Sequence, residues 1–265
     1  MKTSLSLVLL VIAVVMGSAN ASPTTQPAAI EKPGWTLTFH DEFDGAKLDE
    51  SKWLDRYWHG RTHSNHEQQY YAPDGYNLAD GMLQLNARPV PEDQRDKTQK
   101  MPYTSGMVCS YGKFSQKYGW FEIRARFPNG KGYWPAFWLL PDNRRWPPEI
   151  DVLEILGHEP AVAHFTVHFR DEQGRHREDT HQWKGPDFSA DFHTFAVNWE
   201  KGLIAWYVDG IERARSTKGV PDEPMYVIAN LAVGGDWPGN PNDQTKFPQS
   251  MDIDYIRVYE KTPQK

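Results

Sequence analysis

Residues 146–157 read WPPEIDVLEILG, and the reading of this stretch decides the fold. Glu149, Asp151 and Glu154 sit among Ile150, Val152, Leu153 and Ile155, with Pro147 and Pro148 before them and Gly157 after. A helix between Pro148 and Gly157 would have only two turns, and Ile and Val favour a strand. Strand side chains alternate, so Glu149 and Asp151 share a face while the odd step to Glu154 turns it away. A β-bulge at Val152 or Leu153 would bring Glu154 back to its partners.

Outward from this segment the same period recurs in short runs. WTLTFHDEF (35–43), MLQLNAR (82–88), MYVIANLAV (225–233) and MDIDYIRVYE (251–260) read as strands. In YGWFEIRARF (118–127), Phe121, Ile123, Ala125 and Phe127 share one face and Glu122, Arg124 and Arg126 the other. LIAWYVDGIERAR (203–215) carries Asp209-Gly210 between two runs, a hairpin signal. No segment holds a helical period for three turns, and no repeat occurs at a fixed spacing. The pattern predicts an all-β fold, a sandwich or jelly roll, in one domain over residues 34–261. The polar segment 89–104 is expected to be an exposed loop.

The chain has 265 residues and a formal net charge of −6, which argues against a nucleic-acid partner. Its 11 Trp exceed the needs of a core and suggest stacking platforms for ligands. Cys109 is the single cysteine, so an intramolecular disulfide or cysteine metal cluster is excluded, and the thiol is expected to be buried and inert. Lys2, an apolar run from Leu5 to Met16 and Ala19-Asn20-Ala21 resemble an export signal over 1–21. The run is shorter than the ~20 residues of a membrane span, although an uncleaved anchor is the alternative. Residues 22–33 read as a short tether, and the mature protein as secreted, periplasmic or extracellular, with no membrane contact after cleavage. A monomer is the default.

Three like charges on one strand face need a reason, and glycoside hydrolysis supplies one. Retaining enzymes place two carboxyl groups ~5–5.5 Å apart, one as nucleophile and one as acid/base. With a bulge, Glu149 and Glu154 are separated by ~13 Å between Cα atoms, and side chains leaning together close this to ~5–6 Å. Asp151 between them can orient Glu149, and close carboxyls resist full ionisation, which keeps one protonated. A solvated acidic strand is the competing reading, but it leaves the surrounding tryptophans unexplained.

PPEIDVLEILG (147–157) resembles the E-[IV]-D-x-x-E signature of glycoside hydrolase family 16, the laminarinase and lichenase group. HDEFDGAKLDESKW (40–53), NHEQQYY (65–71), YGWFEIRARFPNGKGYWPAFWLLP (118–141), VIANLAVGGDWPG (227–239) and FPQSMDIDYIRVY (247–259) are similar to the group's blocks, in order. The resemblance implies a β-jelly-roll sandwich of two antiparallel sheets with a concave substrate groove. It implies Glu149 as nucleophile, Glu154 as acid/base and Asp151 as helper of the nucleophile, with no cofactor for catalysis. It points to Asn65, Glu67, Trp134, Trp138, Trp146, His168, Asn230 and Trp237 as β-glucan-binding residues. Core packing competes for each Trp, and a satisfied buried amide for Asn230. Trp134 and Trp138 share strand parity. His168 is expected near the acid/base or the sugar. His164 and His168 lack zincin spacing, which argues against a catalytic metal. A structural calcium at Glu42, Gly81 and Asp254 also follows from the resemblance.

Pro148 stands where laminarinases often have Gly, Val152-Leu153 where they often have Met, and Met107-Val108-Cys109 where many have Arg. These departures bear on sugar selectivity. The leading expectation is an endo-acting β-1,3- or mixed β-1,3-1,4-glucanase that retains configuration. The alternatives are an exopolysaccharide glycanase or agarase of the same family, a transglycosylase, and a carbohydrate-binding jelly roll without turnover.

Overall fold

The computed structural model describes residues 30–263. The expected signal segment (1–21) and residues 22–29 of the expected tether lie outside the described residues. The strands are β1 (Trp35–Asp41), β2 (Gln69–Tyr71), β3 (Tyr76–Ala79), β4 (Met82–Pro89), β5 (Tyr103–Ser105), β6 (Met107–Cys109), β7 (Gly119–Arg126) and β8 (Tyr133–Pro141). They continue as β9 (Glu149–Ile155), β10 (Val162–Arg170), β11 (His176–Lys184), β12 (His193–Glu200), β13 (Leu203–Val208), β14 (Ile211–Ser216), β15 (Met225–Val233) and β16 (Gln249–Lys261).

The strands form two sheets. One has six strands, ordered β11-β10-β9-β8-β15-β6, and the other ten, with β14-β13-β12-β7-β16-β4-β5-β2 as its path. β1 pairs with β16 and β3 with β4 beside that path. Pairings are antiparallel except β2 with β5. The expected alternation in 118–127 holds: Phe121, Ile123, Ala125 and Phe127 are buried between the sheets. Asp209 and Gly210 adopt φ of 50° and 73°, as a tight hairpin requires, and Val208 pairs with Ile211.

Segment 89–104 is more ordered than a loop. Glu92–Thr98 forms a 3-10 turn that Gln99 ends in the left-handed region, and Tyr103–Ser105 joins the sheet. The Thr98 hydroxyl is the fixing group, bonded to the carbonyls of Arg95 and Met101, a local contact that polarity alone conceals. Among the described residues, no helix is long and apolar enough to cross a membrane.

The main core fills the space between the sheets and contains Ile150, Val152, Leu153 and Ile155 of β9. A second cluster lies on the outer face of the six-stranded sheet, where Tyr57 and Tyr71 pack over Met107, Cys109, Trp138, Tyr226 and Ile228. Cys109 is fully buried and its thiol is pushed up to about 12 by burial, which leaves it inert.

Candidate active site

The β9 strand is bulged where the spacing of its acids requires. Against β8, Leu153 pairs with Phe137 and Asp151 with Trp138, so Val152 has no partner. Against β10 the register also slips, from His164 opposite Glu154 to Thr166 opposite Asp151. Val152 and Leu153 therefore both face the core, and Glu149, Asp151 and Glu154 emerge together on the outer face. The irregularity is tied to the other sheet: the Trp206 indole N–H on β13 donates to the Asp151 main-chain carbonyl at 2.8 Å through the core.

Each outer carboxyl accepts an indole hydrogen bond. Trp146 Nε1 donates to Glu149 Oε2 at 2.7 Å, and Trp134 Nε1 to Glu154 Oε1 at 2.9 Å. The Asp151 carboxyl neighbours that of Glu149, and its charge opposes the ionisation of Glu149. His168 Nε2 lies 3.3 Å from Asp151 Oδ2 and 3.8 Å from Glu149 Oε1. His168 thus serves the nucleophile side, and the residue opposite Glu154 is His164, because the β10 register fixes the pairing. At the Glu154 end, Trp237 meets Trp134 edge to face and is 42% exposed. At the Glu149 end, Trp146 is 48% exposed and its main-chain carbonyl accepts from Arg170 at 2.8 Å.

Burial dominates the electrostatics. It raises Glu149 and Asp151, with the charge of Asp151 adding to the effect on Glu149 and that of Glu154 to the effect on Asp151. Burial, then the charge of Glu149, raises Glu154 to about 7 despite the Trp134 bond. Burial lowers His168, but its hydrogen bond to Asp151 and the three acidic charges outweigh this and hold it up at about 9. The site therefore balances an imidazolium against carboxyls that resist full ionisation.

Glu67 is buried on the same side, with Gln69 Nε2 donating to its Oε2 at 2.5 Å and His63 Nδ1 3.3 Å from its Oε1. Asn65 is exposed, and its main-chain carbonyl accepts from Asp236 N–H at 3.1 Å, which ties the 63–67 loop to the turn carrying Trp237. Gly235 in that turn has φ of 113°, and a Cβ there would meet the Asn65 carbonyl oxygen at 3.1 Å. Two expected binding residues are covered instead. Trp138 is 8% exposed under Tyr57 and His63, and it donates to Asn230 Oδ1 at 2.7 Å. Asn230 gives its amide to the Tyr71 hydroxyl at 2.9 Å, so these two groups support the floor from within. The cause is the segment carrying Tyr57, which folds over them.

His63, Gln69, His176 and Trp206 were not singled out from the sequence. Gln69 shares strand parity with Glu67, a usable signal, whereas Trp206 acts from the opposite sheet and leaves none. Two of the three expected calcium residues are already engaged through their carboxylates: Glu42 accepts from Arg257 at 3.0 and 2.6 Å, and Asp254 from Arg124 at 2.6 Å. These side chains do not fit a cation, and among the described residues neither belongs to a group of three metal-ligating side chains.

The fold and site together define a class: a jelly-roll sandwich with a groove that carries three carboxyls on a bulged strand. The chain belongs to glycosyl hydrolases family 16, whose sequence pattern matches residues 64–257. It is 36% identical over 249 residues to the endo-1,3-1,4-beta-glycanase EglC of Rhizobium meliloti, covering 87% of this chain and 53% of that protein, about half its length. It is 37% identical over 254 residues to a beta-glucanase of Rhodothermus marinus, covering 86% of each. The laminarinase catalytic domain of Thermotoga maritima matches with a TM-score of 0.76 at 36% identity, over 86% of this chain and 99% of that one.

Proposed function

We propose that the protein is an endo-acting glycosidase that hydrolyses β-1,3- or mixed β-1,3-1,4-glucan with retention of configuration. The observation that carries this is the bulge in β9, which sets Glu149, Asp151 and Glu154 on one face. In the first step a Glu149 oxygen bonds to the anomeric carbon as the glycosidic bond breaks, and Glu154 gives its proton to the leaving oxygen. In the second, Glu154 takes a proton from water as the water oxygen displaces Glu149. Carboxyl groups and water supply every step, so no cofactor takes part.

Glu149 must be ionised to attack. The Trp146 N–H and the His168 charge favour that form, against burial and Asp151. Asp151 is the group that can hold a proton on behalf of Glu149. Trp146 and Trp237, exposed at the two ends of the acid row, offer stacking faces for sugar rings. The β-glucan reading draws on the names of the glycanase and glucanase relatives. Export follows from the signal-like 1–21 segment, and a single chain carries the whole site. A calcium near Glu42, Gly81 and Asp254 would rest on main-chain oxygens and stand outside the reaction.

The test is reducing-end release from laminarin, lichenan, agarose and an acidic exopolysaccharide by the wild type and Glu149→Ser. Release from laminarin or lichenan that the substitution lowers by at least about 10³-fold supports the reading. Activity on agarose or exopolysaccharide alone discards the substrate and keeps the mechanism. Equal release by both proteins sinks Glu149 as nucleophile. Binding without release by the wild type points to a non-catalytic module.

A further inference from the structure

The geometry points to a binding site for a divalent transition-metal ion on the flank of the groove, formed by His168, His176 and Glu178, whose occupation inhibits the enzyme. The inhibitory half rests on the glycosidase reading; the binding half does not.

β10 and β11 pair in regular register, with His168 opposite Glu178 and Arg170 opposite His176, so the three side chains share one face of a hydrogen-bonded ladder. His168 Nδ1 lies 3.0 Å from His176 Nε2 and 3.6 Å from Glu178 Oε2. All three donor atoms fall within 4.8 Å of one another. A tetrahedral zinc ion with bonds of ~2.0–2.1 Å holds its donor atoms ~3.3 Å apart, between the two separations seen here. The far nitrogen of His168 faces the Asp151 carboxyl at 3.3 Å, the carboxylate–histidine arrangement that orients a ligating imidazole. Asp151 Oδ2 is buried, and the His168 Nε2 is the polar group it faces. Two imidazoles select Zn²⁺ or Cu²⁺ over Mg²⁺ and Ca²⁺. The Glu178 side chain is 58% exposed, which leaves room for a water as fourth ligand.

An ion held there would lie beside the Trp146 ring, whose centroid is 4.8 Å from that of His176 and 6.0 Å from that of His168. It would compete with a sugar for that face and take the place of the His168 Nδ1 proton, so that His168 keeps its Nε2 on Asp151 but no longer faces the acids as a free imidazolium. The expected consequence is reversible inhibition that added polysaccharide relieves.

The test is calorimetric titration of tag-free, chelator-treated protein with Zn²⁺, together with the visible absorption of bound Co²⁺ to read coordination geometry. The wild type is expected to bind one ion with roughly micromolar affinity, and His176→Ala and Glu178→Gln to bind about tenfold or more weakly. Zn²⁺ should inhibit wild-type laminarin hydrolysis and a chelator restore it. Glu178→Gln should hydrolyse laminarin at the wild-type rate and resist Zn²⁺. No binding up to millimolar Zn²⁺, or equal affinity in all three proteins, overturns the site. Binding that the variants lose, with wild-type hydrolysis unchanged at saturating Zn²⁺, overturns the inhibition. The calorimetric arm needs no substrate, so a protein inactive on every glycan still decides the site and separates its failure from that of the glycosidase reading.

Discussion

Glu154 accepts the Trp134 indole N–H at 2.9 Å, and that bond favours its ionised form, while burial and Glu149 favour the protonated one and prevail. A general acid works only while protonated, so activity falls as pH rises through about 7. Trp134→Phe keeps a ring against Trp237 but removes the donor. The Glu154 pKa then rises further, and the alkaline limb of kcat/KM should move up by about half to one pH unit. Lost sugar contact can also raise KM, but it does not shift the limb, so limb position is the readout. An unmoved limb, or one displaced to lower pH, would break the link between Trp134 and the acid. Residue type and spacing were enough to place the three acids on one face. They were not enough for Trp138 and Asn230, because strand parity says which face a side chain takes and not what later folds over that face.

On the scale of the strand, β9 must turn Glu149, Asp151 and Glu154 to the outer face while turning both Val152 and Leu153 into the core, which a regular ladder cannot do. The bulge was legible because two apolar neighbours interrupt an otherwise alternating pattern of acids and aliphatics. Its anchor was not, since Trp206 lies 55 positions away and belongs to the other sheet. Trp206 is fully buried and reaches the acid strand through the Asp151 carbonyl. Trp206→Phe leaves that carbonyl without its indole donor and should cost about 1–3 kcal/mol by denaturant unfolding. A relaxed bulge would also turn Glu154 relative to Glu149. The expected kinetic signature is a fall in kcat of about tenfold or more with KM little changed. Lost stability with unaltered kcat would leave Trp206 a packing residue only.

For the whole molecule, a row of raised carboxyls makes the site a burden on the fold at alkaline pH. The Glu154 carboxyl titrates at 4.5 in an unfolded chain and near 7 in the folded one. Its neutral form therefore contributes in full below pH 4.5, and the contribution is lost as pH rises through about 7. The whole shift corresponds to on the order of 2 kcal/mol once the partly exposed edge of the group is discounted. Glutamine preserves the acceptor for Trp134 but carries no charge at any pH. Glu154→Gln should thus melt about 4–8 °C above the wild type at pH 8 and near the wild-type temperature at pH 4. The same variant should be nearly inactive, because it cannot donate a proton. Acids that act in concert must lie close together and away from water, and ionising any one of them then opposes the packed state that holds them there. A melting difference of equal size at both pH values would mean that Glu154→Gln acts through packing, and that the acid row does not set the alkaline limit of the fold.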